Sequence, residues 1–385
     1  MRAADQVREI GIGPLLRASV TPLASIFGSG FLIIVPLLER SMGSLAVIGV
    51  AAVCLGAWLV GSAIRHNVAV VEKLEEEDRL DPLTGRLEQA SDVVIAIAYI
   101  VSVALYLRIM AEYLVRYVSP GAEGAVGFVA AGALVIIVLV GVTRGFGGLD
   151  LMQRLALAAV LLITTALGLT FLGADVERAL ADGVNLPPAG GEPFGSTLLL
   201  LGGIVITVQG FETVRYLGEE YDRGTRIWAS RVAQLVAASI YLGFIVFATP
   251  LMGIGTAAGA DRTLVDITER IAPVLTLPLV LCALLSRFSA ATADTVAAAG
   301  NLHEYSRRLL RDRRAYLACG VAAVAMILAI PTFTLVAVAS RAFAAYYCVQ
   351  CVVALRTSRS WPRRLGYGML AAVMAAITLL AQPVG

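Results

Sequence analysis

Ser25-Ile26-Phe27-Gly28-Ser29-Gly30-Phe31-Leu32-Ile33-Ile34 sets Gly-Ser-Gly in the middle of the first apolar stretch of this 385-residue chain. In hydrocarbon every backbone N–H and C=O must be satisfied. A membrane helix is therefore interrupted only where the opened backbone lines protected space. Gly-Ser-Gly is a residue set that lets a helix unwind and turn its N–H groups toward a small anion. A second interruption signal, Gln209-Gly210-Phe211-Glu212, stands in another apolar stretch about half a chain later. Paired interruptions at corresponding places in two halves point to the binding site of a secondary transporter.

The composition fits that reading. Hydrophobic residues make up 58% of the chain and charged residues 15%, and the mean hydropathy is +0.83, far from the balance of a soluble domain. Apolar runs of ~20 residues match a hydrocarbon core ~30 Å thick. They predict spans near 18–38, 44–65, 91–117, 121–142, 151–173, 196–219, 229–252, 272–300, 315–331, 333–355 and 365–383. With the N-terminus inside, 21 of the 30 Lys and Arg residues fall on inner segments and 5 on outer ones. This bias predicts a cytoplasmic N-terminus and an external C-terminus in the cell's inner (plasma) membrane. Residues 1–17 form a short Arg-bearing segment without a cleavable signal, so the first span is expected to serve as its own insertion signal.

Other classes find little support. The net charge of +2 reports orientation and gives no reason to expect a nucleic-acid partner. The five cysteines all lie in or beside spans. Cys348 and Cys351, one turn apart without a nearby histidine, read as small buried apolar residues rather than a metal or redox pair. His66 and His303 are the two histidines, and neither stands in a metal-binding or nucleophile motif, so an enzyme is not expected.

Between the second and third spans, residues 66–90 form the longest polar insert, with the charge run Glu72-Lys73-Leu74-Glu75-Glu76-Glu77-Asp78-Arg79. The spacing of Val68, Val71 and Leu74 predicts a piece lying along the membrane surface. Asp81-Pro82-Leu83-Thr84-Gly85 reads as a turn. Residues 174–195 read as an outer loop and 257–272 as a short outer helix. The interruptions divide the chain into five-helix units, 18–173 and 196–355, and 365–383 stands outside the repeat. Five is odd, so the two units enter the membrane from opposite faces.

At both interruptions the chain resembles the amino acid–polyamine–organocation (APC) permeases. Their first helix carries a pattern like I-x-G-S-G-I-F followed by Pro; here it is Ile26-Phe27-Gly28-Ser29-Gly30-Phe31, then Pro36. Their sixth carries G-F-E, then E-E and a polar-basic cluster. This chain has Gly210-Phe211-Glu212, Glu219-Glu220 and Arg226-Ile227-Trp228-Ala229-Ser230-Arg231. The resemblance implies an all-α integral membrane protein with a LeuT-type 5+5 inverted repeat, broken helices one and six, and an eleventh helix. There are departures. Arg65-His66-Asn67 stands where a Gly-Gly motif is frequent, and Ile206 where an aromatic gate is common. No lysine lies on the fifth helix, since Lys73 is the chain's only one. The first- and sixth-helix motifs of the Nramp metal carriers, Asp-Pro-Gly and Met-Pro-His, are absent.

The candidate substrate site is the backbone of Gly28, Ser29 and Gly30, whose alternative reading is a small-residue packing seam. It is joined on span six by Thr207, Gln209, Gly210 and Phe211. Carbonyls there would accept from an ammonium, Gly210 would permit the bend, and Phe211 would cover the ligand or simply pack. Tyr106 and Arg108 of span three are further contacts; Arg108 and Glu112, four residues apart, otherwise read as a local ion pair. Glu212 is a carboxyl group deep in a span, where such groups survive at functional sites. It reads as a coupling or gating group, or as the partner of Arg215 or Arg108. On span eight, Ser289, Thr292 and Thr295 recur every three residues and Asp294 adds a carboxylate, a set suited to a sodium ion or a proton. The bland reading of these hydroxyls is bonding back within their own helix.

The expected function is secondary active transport of an amino acid or related small organic solute by alternating access. The coupling ion would be Na+ or H+, by symport or antiport, with no other cofactor. The partners expected are the solute and the lipid bilayer. The alternative from another class is a transporter-like sensor or partner subunit that binds solute without moving it.

Overall fold

The computed structural model describes residues 10–380 apart from 120, 184–185, 191–194, 196, 198–200, 202–207, 253–262 and 307–311. A short helix, Ile12–Ala18, leads into span one, Val20–Met42; span two is Ala46–Glu76 and span three Pro82–Val118. The fourth and fifth spans share Val126–Asp182, whose 57 residues would make a rod of about 85 Å. That is far longer than a bilayer core. It is relieved at Gly145 (φ 61°, ψ −154°), where two helices meet at a kink. Span seven is Arg223–Ala248, followed by a short helix Thr263–Ile271. Span eight is Thr276–Ser306, nine Asp312–Ala329, ten Thr332–Thr357 and eleven Trp361–Leu380. Seven helices among the described residues are long and apolar enough to cross a membrane, the kinked pair counting as one.

Side-chain placement follows from a solvent that is itself apolar. Leu55, Leu139, Leu162 and Leu379 point outward, each more than half exposed, as lipid-facing residues do. The interior is built instead from aromatic and small side chains. Tyr99, Phe343, Tyr346 and Tyr347 are fully buried together and pack edge-on or tilted, with ring centroids 5.5–6.4 Å apart.

Two expectations change. The insert at 66–90 does not lie on the surface: span two continues to Glu76 and span three starts at Pro82. Val68 and Val71 are buried in the bundle. Glu72 is held by Arg226 of span seven at 2.6 Å, which explains its place in the charge run. Asp81 is a helix cap: its side chain accepts from the backbone N–H of Leu83 and Thr84, both at 3.1 Å.

Span one is the second change. It runs as one helix, Val20–Met42, through Gly28-Ser29-Gly30, so the break expected there is not seen. Gly28 serves close packing. A Cβ on it would lie 1.8 Å from Cβ of Ala290 and 2.7 Å from the carbonyl oxygen of Ser286, both on span eight. The absent side chain lets the two helices touch backbone to backbone, as small residues do in membrane bundles. Arg287, also on span eight and buried, donates from Nη1 to the Gly28 carbonyl at 3.1 Å.

Candidate functional site: two buried carboxylates at the broken sixth span

Span six is interrupted as expected. Gln209 and Gly210 are non-helical, and the chain resumes as a tight 3-10 helix, Phe211–Tyr216. Gly210 has φ 125°, which is strained for any residue with a Cβ. A Cβ there would also meet the backbone nitrogen of Ile26 at 2.6 Å and Cβ of Ser25 at 2.7 Å. The break in span six therefore sits directly against span one, three to four residues before Ser29.

Opening the helix frees backbone groups that need partners, and neighbouring side chains supply them. The Gly210 N–H donates to Oε2 of Glu212 at 2.9 Å, and the Thr213 hydroxyl donates to the Gly210 carbonyl at 2.7 Å. Glu212 is fully buried. It also accepts from the Tyr347 hydroxyl of span ten at 2.7 Å and from the Tyr99 hydroxyl of span three at 3.4 Å. Phe211 stacks on Tyr347 with ring centroids 5.4 Å apart.

Asp294, fully buried on span eight, forms the other half of the site. One carboxylate oxygen accepts from the Ser25 hydroxyl of span one at 2.6 Å, and the other from the Ser102 hydroxyl of span three. Each carboxylate thus ties three spans: Asp294 joins eight, one and three, and Glu212 joins six, three and ten. Hydroxyls and an amide hold them. Neither of the arginines weighed for Glu212 does so. Arg215 bonds to Glu88 and stands 3.8 Å from Asp92. Such groups persist inside a membrane where they do work or are hydrogen-bonded, and here the hydrogen bonds are in place.

The remaining candidates divide. Gln209 joins the cluster, donating from Nε2 to the Tyr106 hydroxyl at 3.2 Å. Its buried Oε1 has no partner among the described residues. Thr207 and the side chain of Ser29 lie outside the described residues, and Gly30 is placed only as part of the span-one helix. Arg108 stands apart, because its guanidinium caps span nine: it donates to the carbonyls of Ile327 at 2.6 Å and Ile330 at 3.0 Å, and to Thr332 at 3.0 Å. Glu112 is reached through the same Thr332 hydroxyl. Thr292 and Thr295 bond back to Phe288 and Ala291 at 2.8 and 2.7 Å, as helix-interior hydroxyls do. Ser289 turns toward the Gln153 carbonyl of span five at 3.5 Å. The three hydroxyls are thus not gathered around one point.

Several contributors escaped the sequence reading. Ser25 and Ser102 look like ordinary small residues until the fold brings them to Asp294. Tyr241 of span seven donates to the Ile26 carbonyl at 2.9 Å. Gln153, fully buried, has both ends of its amide unpaired among the described residues. A glutamine inside an apolar span was the available signal for it. Beyond Glu212 an ion-pair belt closes one end of the bundle. Arg226 donates to Glu72 and to the Arg215 carbonyl at 2.9 Å, and Gln350 bridges Glu88 and Ser91 at 3.3 and 2.8 Å.

A sequence profile of APC superfamily transporters matches residues 9–381. The chain belongs to the APC superfamily of transporters. An uncharacterized protein of Aquifex aeolicus (strain VF5) is 33% identical over 359 residues, covering 92% of this chain and 86% of its own length. Among solved structures, a mutant form of a manganese transporter of Eremococcus coleocola superposes with a TM-score of 0.64 at 10% identity, covering 95% of this chain and 86% of that one. MhsT in complex with L-phenylalanine superposes with a TM-score of 0.63 at 13% identity, covering 95% and 98%. At these identities the likeness is one of fold. This transporter is a multi-pass membrane protein with a LeuT-type fold.

Proposed function

We propose that this APC transporter carries an amino acid or related small organic solute by alternating access, driven by a proton or sodium gradient. The observation that carries the proposal is the opened backbone at Gln209-Gly210, packed on span one and flanked by Glu212 and Asp294. An ammonium or hydroxyl of the solute would donate to Oε1 of Gln209, which has no partner among the described residues, and to carbonyls around Thr207–Gln209. Tyr106 and Phe211 would wall the site. A solute carboxylate would be met by N–H groups of Gly28–Gly30 when that segment unwinds, which makes span one's helix the closed form of a gate. Each carboxylate binds spans that must part when the cavity opens. Loading Asp294 with a proton or a sodium ion would loosen its hold on Ser25 and Ser102, and so couple the gradient to the movement of span one. The arginine bias supports a cytoplasmic N-terminus.

A thermal-shift screen tests this directly. Purified protein is melted with individual amino acids, amines and other small solutes, each in sodium, in potassium and across pH. At least one solute class is expected to raise the melting temperature in an ion- or pH-dependent way. Gln209→Leu is expected to abolish that shift, and Asp294→Asn to remove its ion or pH dependence. A ligand whose stabilisation survives both changes would contradict the site. Binding without flux in proteoliposomes would favour the sensor instead.

A further inference from the structure

Two adjoining cavities open along spans two and seven, the larger of them bounded by span eleven as well. The larger, about 1190 Å³, is lined by Arg65, His66, Arg231 and Arg363 together with Trp58 and Trp228. Its arginines are displayed differently from their neighbours. Arg223 and Arg226, a turn or two away, are paired with Glu76 and Glu72. Among the described residues no carboxylate lies within ion-pair distance of Arg231 or Arg363. Arg231 lies over the Trp228 ring, 4.6 Å from its centroid, and Arg65 over Trp58 at 4.5 Å. Arg65 is further fixed by the Trp58 carbonyl, Ser230 and Gln234. The one acidic residue in the lining, Asp222, is committed to capping span seven through the Thr225 N–H at 3.0 Å. Three guanidinium groups therefore line one hollow, rimmed by tryptophan at the end of the bundle that the arginine bias places at the inner membrane surface. Such a hollow suits an anion at headgroup depth.

The second cavity says which anion. About 220 Å³ in volume, it shares Trp58 and Leu235 with the first and continues between the same two helices past Leu55, Ala51, Cys54 and Leu242, its inner wall formed by Ile26, Val208 and Tyr241 beside the broken sixth span. These residues lie further from the arginine end, and Leu55 and Leu235 are more than half exposed on the lipid-facing surface. A cationic hollow leading into an apolar groove matches an amphipathic ligand, whereas a free phosphate would use only the first part. We propose that this groove binds an anionic phospholipid of the inner leaflet, its phosphate on Arg231 and Arg363 and an acyl chain along Leu55 and Leu235. Bound there, the lipid bridges span eleven to spans two and seven.

The test titrates detergent-purified protein with phosphatidylglycerol, phosphatidylcholine or glycerol 3-phosphate, reading melting temperature and retained lipid by native mass spectrometry. Phosphatidylglycerol is expected to stabilise and to be retained, and the other two are not. Arg231→Gln with Arg363→Gln is expected to weaken phosphatidylglycerol binding roughly thirtyfold, from about 1 kcal/mol per arginine. The control pair Arg359→Gln with Arg364→Gln, near the same helix end but outside the lining, is expected to retain it. Both pairs should melt like the parent without lipid, since Arg231 is only half-buried and the others are exposed. Equal stabilisation by glycerol 3-phosphate would overturn the proposal in favour of a free-phosphate site. Equal loss in both pairs would reduce it to diffuse surface charge, and no preference over phosphatidylcholine would remove it.

Discussion

Asp294 accepts from one serine of span one and one of span three, so its charge and its contacts can be separated. Asparagine keeps an acceptor, and its amide can donate to a serine hydroxyl that rotates to accept. Asp294→Asn is therefore expected to fold and to bind solute, with the ion or pH dependence of binding lost; isothermal titration across pH and sodium checks it. Gly210 allows no such separation. Its φ of 125° and its contact with Ile26 leave no room for a methyl group, and overpacking of this kind costs about 1–3 kcal/mol before the backbone strain is added. Gly210→Ala is expected to lower the melting temperature and to abolish ligand stabilisation together. These two residues were legible in the chain as a carboxylate and a glycine inside apolar spans. Ser25 and Ser102 were not, because a serine in a helix normally satisfies itself locally and only the fold reveals a partner 269 or 192 residues away.

Among the elements, span one teaches most. Gly-Ser-Gly was legible as a special segment, but glycine in a membrane helix serves two ends, unwinding and close approach, and sequence does not choose between them. Here the 1.8 Å clearance to Ala290 selects close approach. Gly28→Ala is accordingly expected to cost about 1–3 kcal/mol, and Ala290→Gly to recover much of it in the double variant, measured as melting temperature for the four members of the cycle. Span six differs because Gly210 adopts a backbone geometry that no helix tolerates, so its motif and its break coincide. The helix ends were partly legible. Asp81 looked like a turn because capping aspartates and turn aspartates share the same local chemistry. Asp222 caps span seven in the same way, and its bonds from Thr225 hold its carboxyl below the usual carboxylate range. A group with a depressed folded value stabilises above its unfolded value, near pH 4, and loses that contribution as the pH falls through the folded one. Asp222→Ala is expected to remove about 1 kcal/mol at neutral pH and to flatten the acid limb of the melting temperature against pH.

At the scale of the whole molecule, eleven apolar runs and a strong arginine bias made the membrane class and fold readable, because hydrocarbon punishes every exposed polar group. The fine division was less so. The apolar pattern separated the fourth and fifth spans at 143–150, where the kink at Gly145 falls, but did not show that the two helices join there without a loop, and the charge run after span two hid a helical extension paired with span seven. Glu212 and Asp294 tie spans one and six to spans three, eight and ten, so the proposed opening of the centre requires those bonds to break. Accumulation of solute against its gradient tests this most directly, in proteoliposomes holding only this protein and the solute that best raises its melting temperature. Uptake above equilibration is expected under an inward proton or sodium gradient, collapsed by an ionophore and lost as accumulation in Asp294→Asn. Binding with no flux under any imposed gradient, or accumulation untouched by Asp294→Asn, would contradict the proposed mechanism.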